Sequence, residues 1–339
     1  MSRSIVFYFR KPFKVGNYSI EGLFNSLYTS LVEDPCVKIE KSILPFRKLN
    51  LFYVFLNILY SIKDFNKTIL ITGDVNYLAI FRTSKTILVI HDFDTFKNSQ
   101  SNRIKNKLYK FLWFDLPLWR AHRIVTVSKF TNIQLESLYP KYHKKSLIID
   151  NFIRDSFLNC KIKPISAPEK FVLFIGHTKN KNFINAYKSL RAYSDIFLVC
   201  IGKKSNFKNE AKNHSVELNN VIFYTNISEG ELKFLYKNTQ FLFFPSLYEG
   251  FGLPIIEAQA MKCPVVTSRI EPITTVSGGD SSCILVNPHC INDMTKGVVA
   301  ALNNKSKESI LSNGLKNAKT FTKLNVLKKY KKLIEECVE

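Results

Sequence analysis

The sequence has no apolar run long enough to cross a bilayer, and acidic residues are in short supply. Its longest apolar stretch, 49–62, is broken by Asn57 and falls short of the roughly 20 residues a spanning helix needs. The N-terminus offers a short apolar run without a small-residue cleavage site, so it reads as a first strand and not as a signal peptide. No C-x-x-C pair occurs among the seven scattered cysteines, Cys36, Cys160, Cys200, Cys263, Cys283, Cys290 and Cys337. That pattern suggests neither a disulfide framework nor a zinc site. Cys200, in the apolar run 196–201, reads as a reduced, buried thiol in a reducing compartment. Short internal repeats and low-complexity tracts are absent too.

Against 27 Asp and Glu stand 49 Lys and Arg, a net charge of +22. Positions 1–150 carry 23 basic and 11 acidic residues and the remainder 26 and 16, so the excess is spread through both halves and forms no tail. A detachable nucleic-acid arm is thereby disfavoured. An anionic membrane surface, a phosphorylated substrate and nucleic acid stay open as partners for such a field. So does the bland alternative that many Lys, Asn and Ile residues reflect an AT-rich gene.

What is present is a 339-residue chain, beyond the size at which one core usually keeps growing, so two domains of roughly 150 to 170 residues, and hence a cleft, are expected. Short apolar runs alternate with helical patterns, the signature of βαβ units and a parallel sheet. Strands are predicted at 4–9, 68–72, 86–90, 123–127 and 145–149, then at 171–175, 196–201, 221–223, 241–244 and 264–267. Helices are predicted at 19–32, 49–62, 104–119 and 130–138, then at 182–194, 229–238, 254–261 and 293–302. Pro164, Ser166, Ala167 and Pro168 interrupt the periodicity before a fresh strand. The expected fold is therefore α/β, with an N-terminal doubly wound domain over 1–155, a second over 165–320, and a basic helix over 321–339 packing across them.

One stretch carries chemistry. Glu249-Gly250-Phe251-Gly252-Leu253-Pro254-Ile255-Ile256-Glu257 follows the apolar run Phe241-Leu242-Phe243-Phe244, which places it at the carboxyl end of a parallel strand, where open α/β sheets bind ligands. Glycines without a Cβ let backbone amides approach a ligand, and Pro254 suits the first turn of a helix. Amides ahead of that helix would face an anion with the helix dipole behind them; a diphosphate fits. Glu249 sits at the loop entrance and Glu257 is placed in the first turn beyond it, each able to accept sugar hydroxyls. The bland alternative is a turn residue and a solvated helix residue.

With Glu, seven residues and Glu, the stretch closely resembles the hallmark of the retaining GT-B glycosyltransferases of the glycogen-synthase-like superfamily, often called glycosyltransferase family 4. The likeness continues through Ala258 to Ser268 and Gly279 to Pro288, and upstream through Phe174-Ile175-Gly176 and Lys181-Asn182, which resemble the donor-pyrophosphate site. It covers most of 165–302. In the first half, Ile87 to Asp92 resembles the strand ending in a histidine near the transferred sugar. Arg123 to Phe130 and Ile148 to Asn151 also resemble family segments, while Gly16 stands in the place of the usual glycine-rich loop with only one glycine.

This resemblance implies two Rossmann-like domains facing a cleft. A nucleotide-sugar donor would lie mainly on the C-terminal domain, contacted by Gly16, Gly176, His177, Lys181, Phe251, Gly252, Leu253 and Glu257. It further implies that Lys181 neutralises the leaving diphosphate, Glu249 holds sugar hydroxyls, Glu257 holds the ribose and His91 bonds the sugar, with retention and with neither metal nor cofactor. Three positions depart from the family pattern: His177 replaces arginine, Thr225 a glycine near the base, and Thr275 an acidic residue. Asp92-Phe93-Asp94 matches the D-x-D metal signature of the other major glycosyltransferase architecture, but it overlaps the His91 strand end, so no metal is assigned to it.

The segment 104–119 mixes Lys105, Lys107 and Lys110 with aromatics through Trp119. It reads either as a helix lying on an anionic membrane or as a core helix with a solvated lysine face. The expected activity is transfer of a hexose-type sugar to a lipid-linked saccharide acceptor, in bacterial O-antigen or capsule synthesis, by a cytoplasmic protein peripheral on the inner face of the cell membrane. A soluble acceptor, as in sucrose or trehalose synthesis, is the alternative. A basic nucleic-acid-binding module is a distant third, because no basic-aromatic nucleic-acid motif occurs.

Overall fold

Short runs rich in Ile, Val, Leu and Phe become the strands of two parallel sheets. The computed structural model describes residues 4–11, 19–33, 37–48, 50–80, 85–93, 103–303 and 307–338. β1 (Ser4–Phe9), β2 (Lys38–Ile43), β3 (Thr68–Ile71), β4 (Thr86–Ile90), β5 (Arg123–Thr126) and β6 (Ser146–Ile148) form one sheet in the order β2-β1-β3-β4-β5-β6. β7 (Phe171–Ile175), β8 (Phe197–Ile201), β9 (Val221–Tyr224), β10 (Leu242–Phe244), β11 (Val265–Ser268) and β12 (Ile284–Val286) form the other, in the order β12-β11-β10-β7-β8-β9. Helices join successive strands, so each sheet is doubly wound and the fold is α/β, as expected.

Parallel sheets covered on both faces bury whole strands, and Ile5, Phe7, Ile69, Ile87, Ile124, Val172 and Leu242 are all sealed from solvent. β2 differs. At the sheet edge its residues Lys38 to Ile43 are exposed or half-buried except for Ser42, and Glu40 there pairs with Lys67 at 2.6 Å. No strand is predicted at 38–43, because an edge strand covered on one side carries no continuous apolar run.

The chain divides into two units. The first runs to Phe152 and takes in Lys323–Glu339; the second is formed by Ile153–Thr322. Helix Lys323–Val338 thus returns to the first unit, where Tyr330 meets Phe24 of helix Ser19–Val32 edge-on at 6.1 Å. Cys200, Cys263, Cys283 and Cys337 are buried free thiols, and burial pushes the Cys200 thiol well up. Among the described residues no helix is long and apolar enough to cross a membrane.

Candidate functional site

In the second unit β8 and β9 lie to one side of β7, and β10, β11 and β12 to the other. Loops leaving the carboxyl ends of β7 and β10 run in opposite directions at such a reversal and leave a crevice for ligands. Both stretches singled out in the sequence for donor binding leave this pair of strands.

After β7 the chain turns at Gly176, whose φ of 102° suits only glycine without strain. A Cβ there would lie 2.8 Å from both Cγ and Cε of Lys181, so the missing side chain is what lets the lysine stem cross the turn. Asn182, left-handed at φ 64°, opens helix Phe183–Leu190. Its amide donates to the carbonyls of Pro245 (3.1 Å) and Pro288 (2.7 Å). Asn180 donates to the Tyr248 carbonyl at 2.9 Å and accepts from the Leu247 amide at 2.7 Å. Four bonds therefore tie the β7 loop to its neighbours, three of them to the β10 loop.

Across this seam Lys181 Nζ donates to Glu249 Oε1 at 2.5 Å and stands 4.5 Å from the centre of the Phe244 ring. Both side chains are largely buried, 17% and 12% exposed. A phosphate arriving in the crevice would compete with Glu249 for the ammonium, and the carboxylate so released could accept sugar hydroxyls. Beyond Glu249, Phe251 is buried and meets Phe321 edge-on at 5.5 Å. Gly252, at φ 103°, is the N-cap of helix Leu253–Ala260. Leu253 and Pro254 start that helix, whose first amides have no acceptor within it and carry the positive end of its dipole.

Glu257 is the fifth residue of this helix, so it belongs to the second turn and not to the first as the sequence reading places it. It is buried, accepts from the Tyr236 hydroxyl at 3.3 Å, and has Arg154 Nη2 3.8 Å from its other oxygen. Burial pushes its pKa up to about 7, against the opposing pull of Arg154. Arg154 also pairs with Glu229 at 2.8 Å. Sequence reasoning missed Arg154, which lies in the boundary segment; its one signal is a cation directly after Phe152-Ile153.

His177 is half-buried against Gly202, where a Cβ would come 2.8 Å from Nδ1. Burial, then Lys203 and Lys181, lower its pKa below the usual 6.5, so at neutral pH it carries no charge. Thr225 is turned to the Gly202 carbonyl, donating at 2.9 Å.

In the first unit His91 directly follows β4, buried, with Nε2 2.9 Å from the Thr72 carbonyl. A carbonyl only accepts, so Nε2 is the donor of this bond and Nδ1 is the ring nitrogen left for another partner. Arg10, just past β1, reaches Glu21 at 2.6 Å and Asp74 at 3.0 Å, a cluster no sequence motif announced. Gly16 and Asp94 lie outside the described residues. Among the described residues no group of three or more His, Cys, Asp or Glu side chains could hold a metal ion.

Comparison with known proteins gives this part of the chain its relatives. Residues 158–318, just under half of the chain, match the family described as glycosyl transferases group 1. This segment is similar to the glycosyl transferases of that group. The O-antigen chain mannosyltransferase RfbU of Salmonella typhimurium is 28% identical over 207 residues, 59% of this chain and 56% of that protein, so the match spans little more than half the relative's length. A Campylobacter jejuni enzyme named as an N-acetylgalactosamine-N,N'-diacetylbacillosaminyl-diphospho-undecaprenol 4-alpha-N-acetylgalactosaminyltransferase is 28% identical over 267 residues, 74% of this chain and 71% of that one. The fold matches a sucrose-phosphate synthase from Thermosynechococcus elongatus with a TM-score of 0.78 at 15% identity, over 98% of both chains. The matched segment contains β7 to β12 and the Lys181 and Glu249 pair. Arg154 and Phe321 fall just outside it.

Proposed function

We propose that this chain moves a hexose-type sugar, with retention and without a metal, from a nucleotide-sugar donor to a lipid-linked saccharide. The setting is assembly of a bacterial O-antigen or capsule on the inner face of the cell membrane. The observation that carries the proposal is the Lys181 and Glu249 pair, held at the strand-order reversal of the second sheet beside the Gly252 helix start. The names of the Salmonella and Campylobacter relatives support the O-antigen setting and the lipid-linked acceptor.

In this reading the bond from the anomeric carbon to the diphosphate breaks and its electron pair leaves with the phosphate. Lys181 and the amides of Phe251, Gly252 and Leu253 stabilise that growing charge, a contribution of the preorganised electrostatic kind. Glu249 holds sugar hydroxyls, Glu257 the ribose, and His91 a sugar hydroxyl through Nδ1. The acceptor oxygen bonds to the same face of the sugar and its proton passes to the departing phosphate. Thermal-shift measurements with UDP-, GDP-, dTDP- and ADP-sugars test the donor site, because a ligand of the folded state raises Tm. A flat response to all four would sink it. Product anomeric configuration by NMR tests retention, and turnover undiminished by EDTA tests metal independence.

A further inference from the structure

Helix Leu51–Ser61 of the first unit contains no charged residue. A surface helix ordinarily turns charged and polar side chains outward, yet Leu51, Phe52, Phe55, Leu59 and Tyr60, with Ile62 just beyond, are 36% to 64% exposed. Val54 and Asn57 face inward instead, Val54 into the core and Asn57 bonded to the Tyr77 hydroxyl at 2.9 Å. The apolar outer face is therefore not a failure of packing; the helix is seated by its other side. Cations mark both ends. Lys48 stands 5.5 Å from the Tyr53 ring centre and Lys63 3.9 Å from that of Tyr60.

The segment Arg103–Lys110 to Leu116–Arg120 feeds the same core, with Trp113, Phe114 and Leu118 packed in one cluster with Val54 and Tyr77. Both elements consequently cover the same face of the first sheet. On the outside the second element shows Leu108, Phe111 and Trp119. Lys107 and Lys110 are exposed beside them, and Arg120 lies over the Trp119 ring at 5.2 Å. The inner side of this segment thus packs as the core-helix reading expects, and its outer side carries the exposed basic and aromatic residues on which the membrane reading rests.

We infer that this face, centred on helix Leu51–Ser61, docks the protein on an anionic lipid bilayer. Apolar and aromatic side chains ringed by lysine and arginine match an acyl boundary below negative headgroups. A second copy of the chain fits less well, since it would bring two cationic rims together. The inference rests on the lipid-linked acceptor reading for its purpose, but its test does not depend on that reading.

Full-length protein is co-sedimented with phosphatidylcholine vesicles with and without phosphatidylglycerol, alongside Phe52→Ser/Phe55→Ser and Lys48→Glu/Lys63→Glu. The wild type is expected to bind the phosphatidylglycerol vesicles, and each double variant to bind at least about tenfold less. All three are expected to keep the same Tm shift with a nucleotide sugar, which shows that the variants are folded. Wild-type protein that ignores anionic vesicles, or variants that bind them equally, overturns the inference. A wild-type dimer in light scattering that Phe52→Ser/Phe55→Ser dissolves, with no vesicle binding, overturns it in favour of a second copy. Loss of every nucleotide-sugar response with vesicle binding intact would strike the donor reading and leave the docking face standing.

Discussion

The two sheets use one topological device with different balances of charge. In the second, the order reverses between β7 and β10, and one lysine faces one carboxylate beside a helix start, a neutral pair ready to exchange partners with an anion. In the first, it reverses between β1 and β3, and Arg10 is held between two carboxylates, Glu21 and Asp74. That cluster already has excess negative charge, which suits hydroxyls better than phosphates. In the proposed reading, the side chains that follow the strands set the same kind of crevice for a diphosphate in one unit and for a saccharide in the other.

Replacing the lysine gives the largest break in this comparison. Lys181→Ala leaves Glu249 without its cation and the diphosphate without a neutralising charge; turnover is expected to fall by roughly 10²- to 10³-fold, read as kcat/KM with the nucleotide sugar. Glu249→Gln, which keeps the shape, is expected to lower kcat by a comparable factor. Asp74→Asn, on the half-exposed partner of Arg10, is expected to leave the nucleotide-sugar Tm shift unchanged. Equal loss of that shift in Asp74→Asn and Lys181→Ala would end the division of labour.

Backbone changes come next. Gly176→Ala puts a methyl where the Lys181 stem crosses and forces an L-residue to φ 102°. Strain of about 1–3 kcal/mol and a displaced lysine are expected to weaken donor affinity about tenfold, by titration calorimetry. Gly252→Ala carries similar strain at φ 103° but its Cβ would meet only the Ile255 side chain, at 3.1 Å, so its effect should be the smaller of the two.

A third effect lies beneath the site. Burial raises the Glu257 pKa to about 7, from an ordinary value near 4.5. Below about pH 4 the carboxyl is protonated folded and unfolded alike and costs nothing. As pH rises through that window the unfolded chain ionises first, and stability is lost, by at most about 3 kcal/mol once both forms are charged. Glu257→Gln should flatten the fall in stability between pH 5 and 8, measured by denaturant unfolding. It should also weaken donor binding at pH 8 more than at pH 6, if the ionised carboxylate holds the ribose.

Much of this was legible in sequence because both sheets are buried on two faces and each strand is a short apolar run. Strands at 4–9, 86–90 and 171–175 appear with their predicted bounds, and Lys181 meets Glu249 across 68 positions of sequence. What stayed hidden has a common cause. Edge strand β2 is polar, Arg154 acts on Glu257 from outside any motif, and Arg10 meets its carboxylates only through the sheet. The outward face of helix Leu51–Ser61 was unreadable because a helix apolar all round looks the same whether a core or a bilayer covers it.

The smallest effect concerns the departure at His177. A neutral imidazole beside Lys181 adds no charge for a diphosphate at pH 7, whereas an arginine, always protonated, would add one and offer a fork to phosphate oxygens. His177→Arg is therefore expected to tighten donor binding by a few-fold, about 1 kcal/mol, for a half-buried cation partly screened by salt. Its pH dependence separates charge from shape. At pH 6 Glu257, its pKa raised to about 7, is already mostly protonated, so what changes on further acidification is His177, which gains a proton as pH falls through its lowered pKa. Wild-type donor affinity should rise relative to the arginine variant as that proton is gained, and the two curves should converge. Curves that stay parallel would mean that the imidazole serves the turn at Gly202 by its shape, and that charge next to Lys181 does not govern the grip on the diphosphate.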